Sequence, residues 1–362
     1  MTQEITLTVE KAALEHNIAT LRAAVAPAAI MAVVKANAYG HGAVETARVF
    51  EGAGVDWLGV ADLDEAVVLR EAGITAPVLA WLHAPGETFE RAAAHDVTPA
   101  VSGVEQLEAA VAAGVRAVHL CVDTGLSRNG AVESEWPELF RRAVATHDTV
   151  PVEGLMSHLA NTSPADDGAQ MAAFVRATGM LGDLGVEPRL QHLAASAAGL
   201  TFSGARITMV RFGIAAYGVS PFDDRSSAEL GLRPAMTMTA PVTTVKRVPA
   251  GEGVSYGYVF RPERDTTIAV VPVGYADGVD RAASDRASVT IGDRTYRVRG
   301  RIAMNALVID VGDDLVEVGD EVVLFGDPTL GRQGASDWAA AFGGIAYEVI
   351  ASLSPHLARR YV

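Results

Sequence analysis

The sequence predicts an α/β protein: a (β/α)8 TIM barrel over residues 10–233, then a C-terminal all-β domain over 234–362 that also takes in an N-terminal strand within 1–9. Three observations carry this prediction. Up to about residue 232, eight short apolar, β-branched runs alternate with longer Ala/Glu/Arg-rich stretches of helical period. Beyond Pro234 the pattern changes to short alternating runs punctuated by Gly, Asp and Pro. At 362 residues the chain also exceeds the usual size of one domain, so a barrel with a companion accounts for its length.

The expected barrel strands fall at 30–34, 57–60, 78–81, 98–101, 117–122, 152–157, 190–193 and 207–210. Between them, stretches such as 62–72, 103–113, 136–146 and 169–184 are long enough to be the crossover helices that parallel strands require. The expected strands of the second domain are 236–248, 267–273, 288–291, 294–298, 306–311 and 321–324. Residues 5–9 alternate like a strand and precede the barrel, so they are expected to pair with the β domain.

Composition removes several function classes. With 29 basic against 44 acidic residues and a formal charge of −15, the surface is not built to neutralise nucleic-acid phosphates. There is no apolar run of membrane-spanning length. The start, MTQEITLTVEKAALEHN, also lacks a signal peptide's basic and apolar regions, so a cytoplasmic protein with no membrane partner is expected. Cys121 is the only cysteine, which rules out an internal disulfide and a cysteine-rich zinc site; no metal is expected.

Reactive residues of a barrel stand at the carboxyl ends of its strands, and Lys35 directly follows the first run. Alone it would read as a solvated strand-end lysine. The segment AVVKANAYGHG, however, ties it to Tyr39 and to glycines opening the next helix, where backbone amides could approach an anion. A lysine of lowered pKa is a nucleophile whose natural product with an aldehyde is a Schiff base, which points to pyridoxal phosphate. A phosphate seat after the last two strands would use Ser196, in HLAASAAGL, and the amides of Gly213 and Ile214, in MVRFGIAAYG. Ordinary turn chemistry is the plainer account of those glycines.

AVVKANAYGHG resembles the cofactor-binding motif of bacterial alanine racemases, pyridoxal-phosphate enzymes of fold type III. The segments VDTGLSRNG, GLMSHLANTS, HLAASAAG, MVRFGIAAYG, VSYGYVF, VPVGYADG, GRIAMN and AYEVI follow in that family's order and approximate spacing. The resemblance covers essentially the whole chain. It implies an isomerase that interconverts L- and D-alanine for peptidoglycan, acting as a head-to-tail homodimer whose sites borrow residues from the partner's β domain.

By the same resemblance Lys35 carries pyridoxal 5'-phosphate, while Tyr39, Ser196, Tyr347 and the amides of Gly213 and Ile214 hold its phosphate. His158 lies against the ring. Arg211 faces the pyridine nitrogen; a guanidinium only donates, so that nitrogen stays unprotonated and the ring becomes a weaker electron sink. Inverting a carbon centre needs a proton group on each face. Lys35 is one and Tyr256, lent by the partner, is the other, with His158 and Arg211 as candidates for the network that makes its phenolate accessible. Arg128 and the Met304 amide are implied to hold the substrate carboxylate, with Tyr275 and Arg281 at the entrance.

The chain departs from the family at Cys121, where many members have a carbamylated lysine whose charge orients the arginine. The expectation is that an anion such as chloride replaces it, with Asp123 as the alternative partner of Arg128. Asn305 and Ala195 replace a common aspartate and asparagine. A serine racemase, a fold-type-III decarboxylase and a non-catalytic pyridoxal-phosphate homeostasis protein are the competing readings. The last resembles the barrel alone, so the β domain carrying Tyr256, Tyr275 and Met304 argues against it.

Overall fold

The computed structural model describes residues 5–362; residues 1–4 of the expected N-terminal strand lie outside the described ones. Strand β1 (Thr6–Val9) leads into helix Lys11–Val25, and eight strands follow: β2 (Ala29–Val33), β3 (Trp57–Val60), β4 (Val78–Ala80), β5 (Thr98–Val101), β6 (Val118–Cys121), β7 (Val152–Met156), β8 (Leu190–His192) and β9 (Met209–Phe212). They form one parallel sheet in the order β8-β7-β6-β5-β4-β3-β2-β9. Its two ends meet without a continuous ladder. Instead the Thr208 amide donates to the Gln191 carbonyl (3.2 Å) and the Arg211 amide to the Ala194 carbonyl (3.1 Å), closing the barrel.

Period-two alternation sends every other side chain inward, and each strand contributes one residue to a buried cluster of Met31, Trp57, Leu79, Ala100, Cys121, Met156, Leu190 and Met209. The lumen is therefore a packed core. Strand positions match expectation to within two residues at each end, the ordinary uncertainty of element boundaries. The helix expected over 169–184 begins earlier, at Pro164–Asp183. Ser163 caps it, its hydroxyl accepting from the Asp166 amide at 3.1 Å, and Pro164 takes the first helical position.

The second domain contains β10 (Met236–Pro241), β11 (Thr244–Val248), β12 (Thr266–Val271), β13 (Ser288–Ile291), β14 (Arg294–Arg297), β15 (Leu307–Gly312), β16 (Glu321–Phe325) and β17 (Ala358–Tyr361). They divide into a six-stranded sheet, β14-β13-β16-β10-β1-β17, and a three-stranded sheet, β11-β12-β15. β1 pairs antiparallel with β10 and parallel with β17. The strand expected over 236–248 is broken after Pro241, which cannot donate to a ladder, and its halves enter different sheets. The domain is β-rich rather than all-β, because helices Ala335–Phe342 and Ala346–Ala351 lie within it. The carboxylates of Asp337 and Glu348 start them by accepting from the Gly334 (2.7 Å) and Ile345 (2.8 Å) amides.

These helices and β17 grip the chain just beyond Lys35. Arg359 Nε donates to the Gly40 carbonyl (2.7 Å) and the Tyr361 hydroxyl to the His41 carbonyl (2.9 Å). A Cβ on Gly40 would stand 2.0 Å from the Ile350 carbonyl oxygen. Among the described residues no helix is long and apolar enough to cross a membrane.

Candidate active site

After β2 the backbone enters the left-handed region for four consecutive non-glycine residues, Ala36, Asn37, Ala38 and Tyr39, with φ between 51° and 53°. Such a conformation costs roughly 1–2 kcal/mol per residue, so the turn must be held from outside. Glu65 does this, one carboxylate oxygen accepting from the Ala36 amide (2.6 Å) and the other from the Ala61 amide (2.8 Å). Asn37 Oδ1 accepts from the Ala43 amide at 2.8 Å. The amides of Gly40, His41 and Gly42 are bonded to the carbonyls of Ala36, Ala38 and Asn37. They are thus unavailable to the anion that the sequence suggested there, because the left-handed turn consumes them itself.

The turn leaves Lys35 at the end of the first barrel strand, where burial lowers its pKa. The positive charges of Arg128 and Arg211 act in the same direction and the Glu65 carboxylate opposes them. This is the environment in which a lysine amine becomes nucleophilic.

Arg211, on β9, is buried and fans across the ends of β7 and β8. One terminal nitrogen donates to His192 Nδ1 (3.0 Å) and the His192 carbonyl (2.8 Å); the other donates to the Ser157 carbonyl (2.7 Å), His158 Nδ1 (3.0 Å) and, more weakly, the Leu193 carbonyl (3.3 Å). Of the five guanidinium N–H groups only that on Nε has no partner among the described residues. Burial and the adjacent Arg211 and Arg128 push His158 down to about 3, so its ring is neutral and Nδ1 is the acceptor.

On the far side of the mouth Tyr39, Tyr347, Ser196 and Gly213 come together. The Tyr39 and Tyr347 ring centroids are 6.2 Å apart. Burial raises both phenols, that of Tyr347 to about 12, so both stay protonated near neutrality and remain donors. Ser196 Oγ accepts from the amides of Gly213 (3.2 Å) and Ala215 (3.5 Å), which leaves its own proton to give. The Ile214 amide, at the start of the 3-10 turn Ile214–Tyr217, does not donate to that oxygen.

Three expected site residues are not brought to this mouth within the chain. Tyr256 (69% exposed), Met304 (56%) and Tyr275 (43%) stand on the β domain and form no hydrogen bond with Lys35 or Arg211. Tyr275 lines a separate cavity of about 390 Å³ together with Arg281. Asp123 is not the partner of Arg128: its carboxylate accepts from the Gly125 (2.8 Å) and Ser127 (3.1 Å) amides and so shapes the loop instead. The buried Cys121 thiol is pushed up to about 11 and supplies no charge.

The family model described as the N-terminal domain of alanine racemase matches residues 9–221, and that of the C-terminal domain matches 235–361. The chain belongs to the alanine racemase family. The alanine racemase of Frankia casuarinae is 44% identical over 97% of this chain and 94% of its own length. That of Mycolicibacterium smegmatis is 44% identical over 98% and 94%. The crystal structure of alanine racemase from the D-cycloserine producer Streptomyces lavendulae superposes with a TM-score of 0.97 at 41% identity, covering 100% of this chain and 98% of that one. Alanine racemases are isomerases that use pyridoxal phosphate.

Sequence reasoning passed over Glu65, His192 and His119. Glu65 sits three residues after Asp62, the position of a capping-box glutamate, but its carboxylate reaches Ala61 and the Lys35 turn instead. The signal for the histidines was available: in the runs VHLC and LQH each falls on an inward-facing strand position beside apolar neighbours.

Proposed function

We propose that the chain interconverts L-alanine and D-alanine in the cytoplasm, supplying D-alanine for peptidoglycan, with pyridoxal 5'-phosphate held at Lys35 in a head-to-tail homodimer that shares its active sites. The carrying observation is the convergence of a lysine of lowered pKa with a guanidinium that keeps one N–H uncommitted. The remaining donors fit the cofactor. The Tyr39, Tyr347 and Ser196 hydroxyls, beside a glycine whose Cβ would meet the Tyr39 oxygen at 2.3 Å, suit a phosphate group, with the Gly213 and Ile214 backbone alongside. The free Arg211 Nε–H suits an unprotonated ring nitrogen, and neutral His158 suits the ring itself.

When bound, the cofactor withdraws electrons and so makes the substrate α-C–H acidic. Inversion then requires one proton group on each face, and this chain offers the Lys35 amine for one. Tyr256 of the partner subunit serves the other. Its exposure, on a patch with Tyr258 (60%) and Val259 (48%), supports its being lent to a second copy rather than used in its own barrel. Arg128 and, lent like Tyr256 across the dimer, the Met304 amide of the partner subunit orient the substrate carboxylate, and Tyr275 of the partner subunit stands at the entrance.

Single enantiomers of alanine and of serine, incubated in deuterated water, test this reading. Optical inversion and α-deuterium incorporation are expected together from either alanine enantiomer. Inversion without exchange contradicts proton transfer as the mechanism.

A further inference from the structure

Below Arg211 the barrel core holds two histidines that the reading above leaves without a role. His192, on β8, and His119, on β6, are both completely buried, and His119 Nδ1 lies 2.9 Å from His192 Nε2. The guanidinium contact fixes where the protons are. Arg211 can only donate, so His192 Nδ1, 3.0 Å away, is an acceptor and the His192 proton sits on Nε2. That N–H points at His119 Nδ1, which must accept in turn, leaving the His119 proton on Nε2. Among the described residues His119 Nε2 has no hydrogen-bond partner in this sealed core. The Trp57 ring stands beside it, with centroids 5.2 Å apart and planes inclined at 54°, and offers a weak π acceptor.

We propose that His119 is a positioning residue for Arg211, acting through His192, in a chain of donors that runs Arg211 to His192 to His119 with both imidazoles held as neutral Nε2–H tautomers. Protonating either ring would set an N–H against an N–H: His192⁺ against the guanidinium, or His119⁺ against the Nε2–H of His192. Burial, reinforced by nearby arginines, disfavours the charged form of each. Space for His119 is reserved on the neighbouring strand, where a Cβ on Gly154 would come within 2.5 Å of its ring. Without His119, His192 Nε2–H would be a buried donor lacking an acceptor, and the ring could relieve this only by changing tautomer or rotating. Either change takes away one of the two imidazole acceptors that aim the guanidinium. The consequence for catalysis rests on the proposed function, whereas the tautomer chain does not.

The test is long-range proton–nitrogen NMR on the holoenzyme labelled with 15N-histidine, with steady-state kinetics alongside. In the wild type His192, His119 and His158 should each show a protonated Nε2 and an unprotonated Nδ1; a proton on His192 Nδ1 overturns the proposal outright. In His119→Leu the His192 signal should lose its single-tautomer pattern and kcat should fall about ten- to a hundredfold with KM little changed. In His119→Asn the amide oxygen falls near the place of Nδ1 and should restore both. A Leu variant that keeps the His192 tautomer and kcat removes the positioning role, and if that variant does not fold the wild-type spectrum alone decides. A wild type with the stated tautomers but no racemisation refutes the proposed function and leaves the chain standing.

Discussion

The Tyr39 hydroxyl occupies the space beside Gly213 so closely that a Cβ there would lie 2.3 Å from its oxygen. This contact joins the turn after β2 to the end of β9, its neighbour in the sheet. Gly213→Ala should displace Tyr39 and weaken pyridoxal-phosphate retention about tenfold or more, measured by equilibrium dialysis and absorbance, with secondary structure unchanged.

Glu65→Gln tests how the left-handed turn is held. The glutamine oxygen can satisfy one of the amides of Ala36 and Ala61, but its NH2 group then faces the other donor. The displaced donor is exposed or half-buried and can turn to water, so the loss in urea unfolding should be at most about 1 kcal/mol. Because Lys35 begins that turn, kcat should fall more than KM changes.

The buried histidines make the fold acid-sensitive. Burial holds His41 down to about 4, and His119 and His158 down to about 3, against an unfolded value near 6.5. Between roughly pH 6.5 and these values the unfolded chain binds more protons, so stability falls as pH falls, by at most about 1.4 kcal/mol per pH unit for each histidine. Thermal melts should show Tm constant from pH 8 to 7 and dropping steadily from 6 to 4.5; a Tm that holds through pH 5 would contradict the neutral assignments.

Arg128 forms no ion pair among the described residues, and Cys121 stays uncharged beside it. If an anion fills that place, titrating chloride into a halide-free buffer should lower KM for alanine several-fold at constant ionic strength. A KM indifferent to chloride would remove the anion.

Most of the fold was legible because period-two and helical patterns alternate cleanly before Pro234, and Lys35 and Ser196 follow strand ends, with Arg211 in the last residues of β9, where a barrel places reactive groups. What was missed was tertiary in origin. Helices Ala335–Phe342 and Ala346–Ala351 are short and apolar, so their periodicity is weak, although Asp337 and Glu348 carried their start signals. The left-handed run over Ala36, Asn37, Ala38 and Tyr39 contradicts local preference and exists because Glu65 and the C-terminal segment hold it. A histidine inside a strand reads as apolar filler until its partner on another strand is known, as His119 and His192 show.

The central claim, that Lys35 and Tyr256 of the partner subunit act across a shared site, is tested most directly by complementation. Lys35→Ala and Tyr256→Phe are each expected to give a nearly inactive homodimer. Unfolded together and refolded as a mixture, they should regain about a quarter of wild-type activity, because half the dimers are mixed and each mixed dimer rebuilds one intact site of two. Mixed dimers that form, as differently tagged chains would reveal, and yet stay inactive would contradict the account.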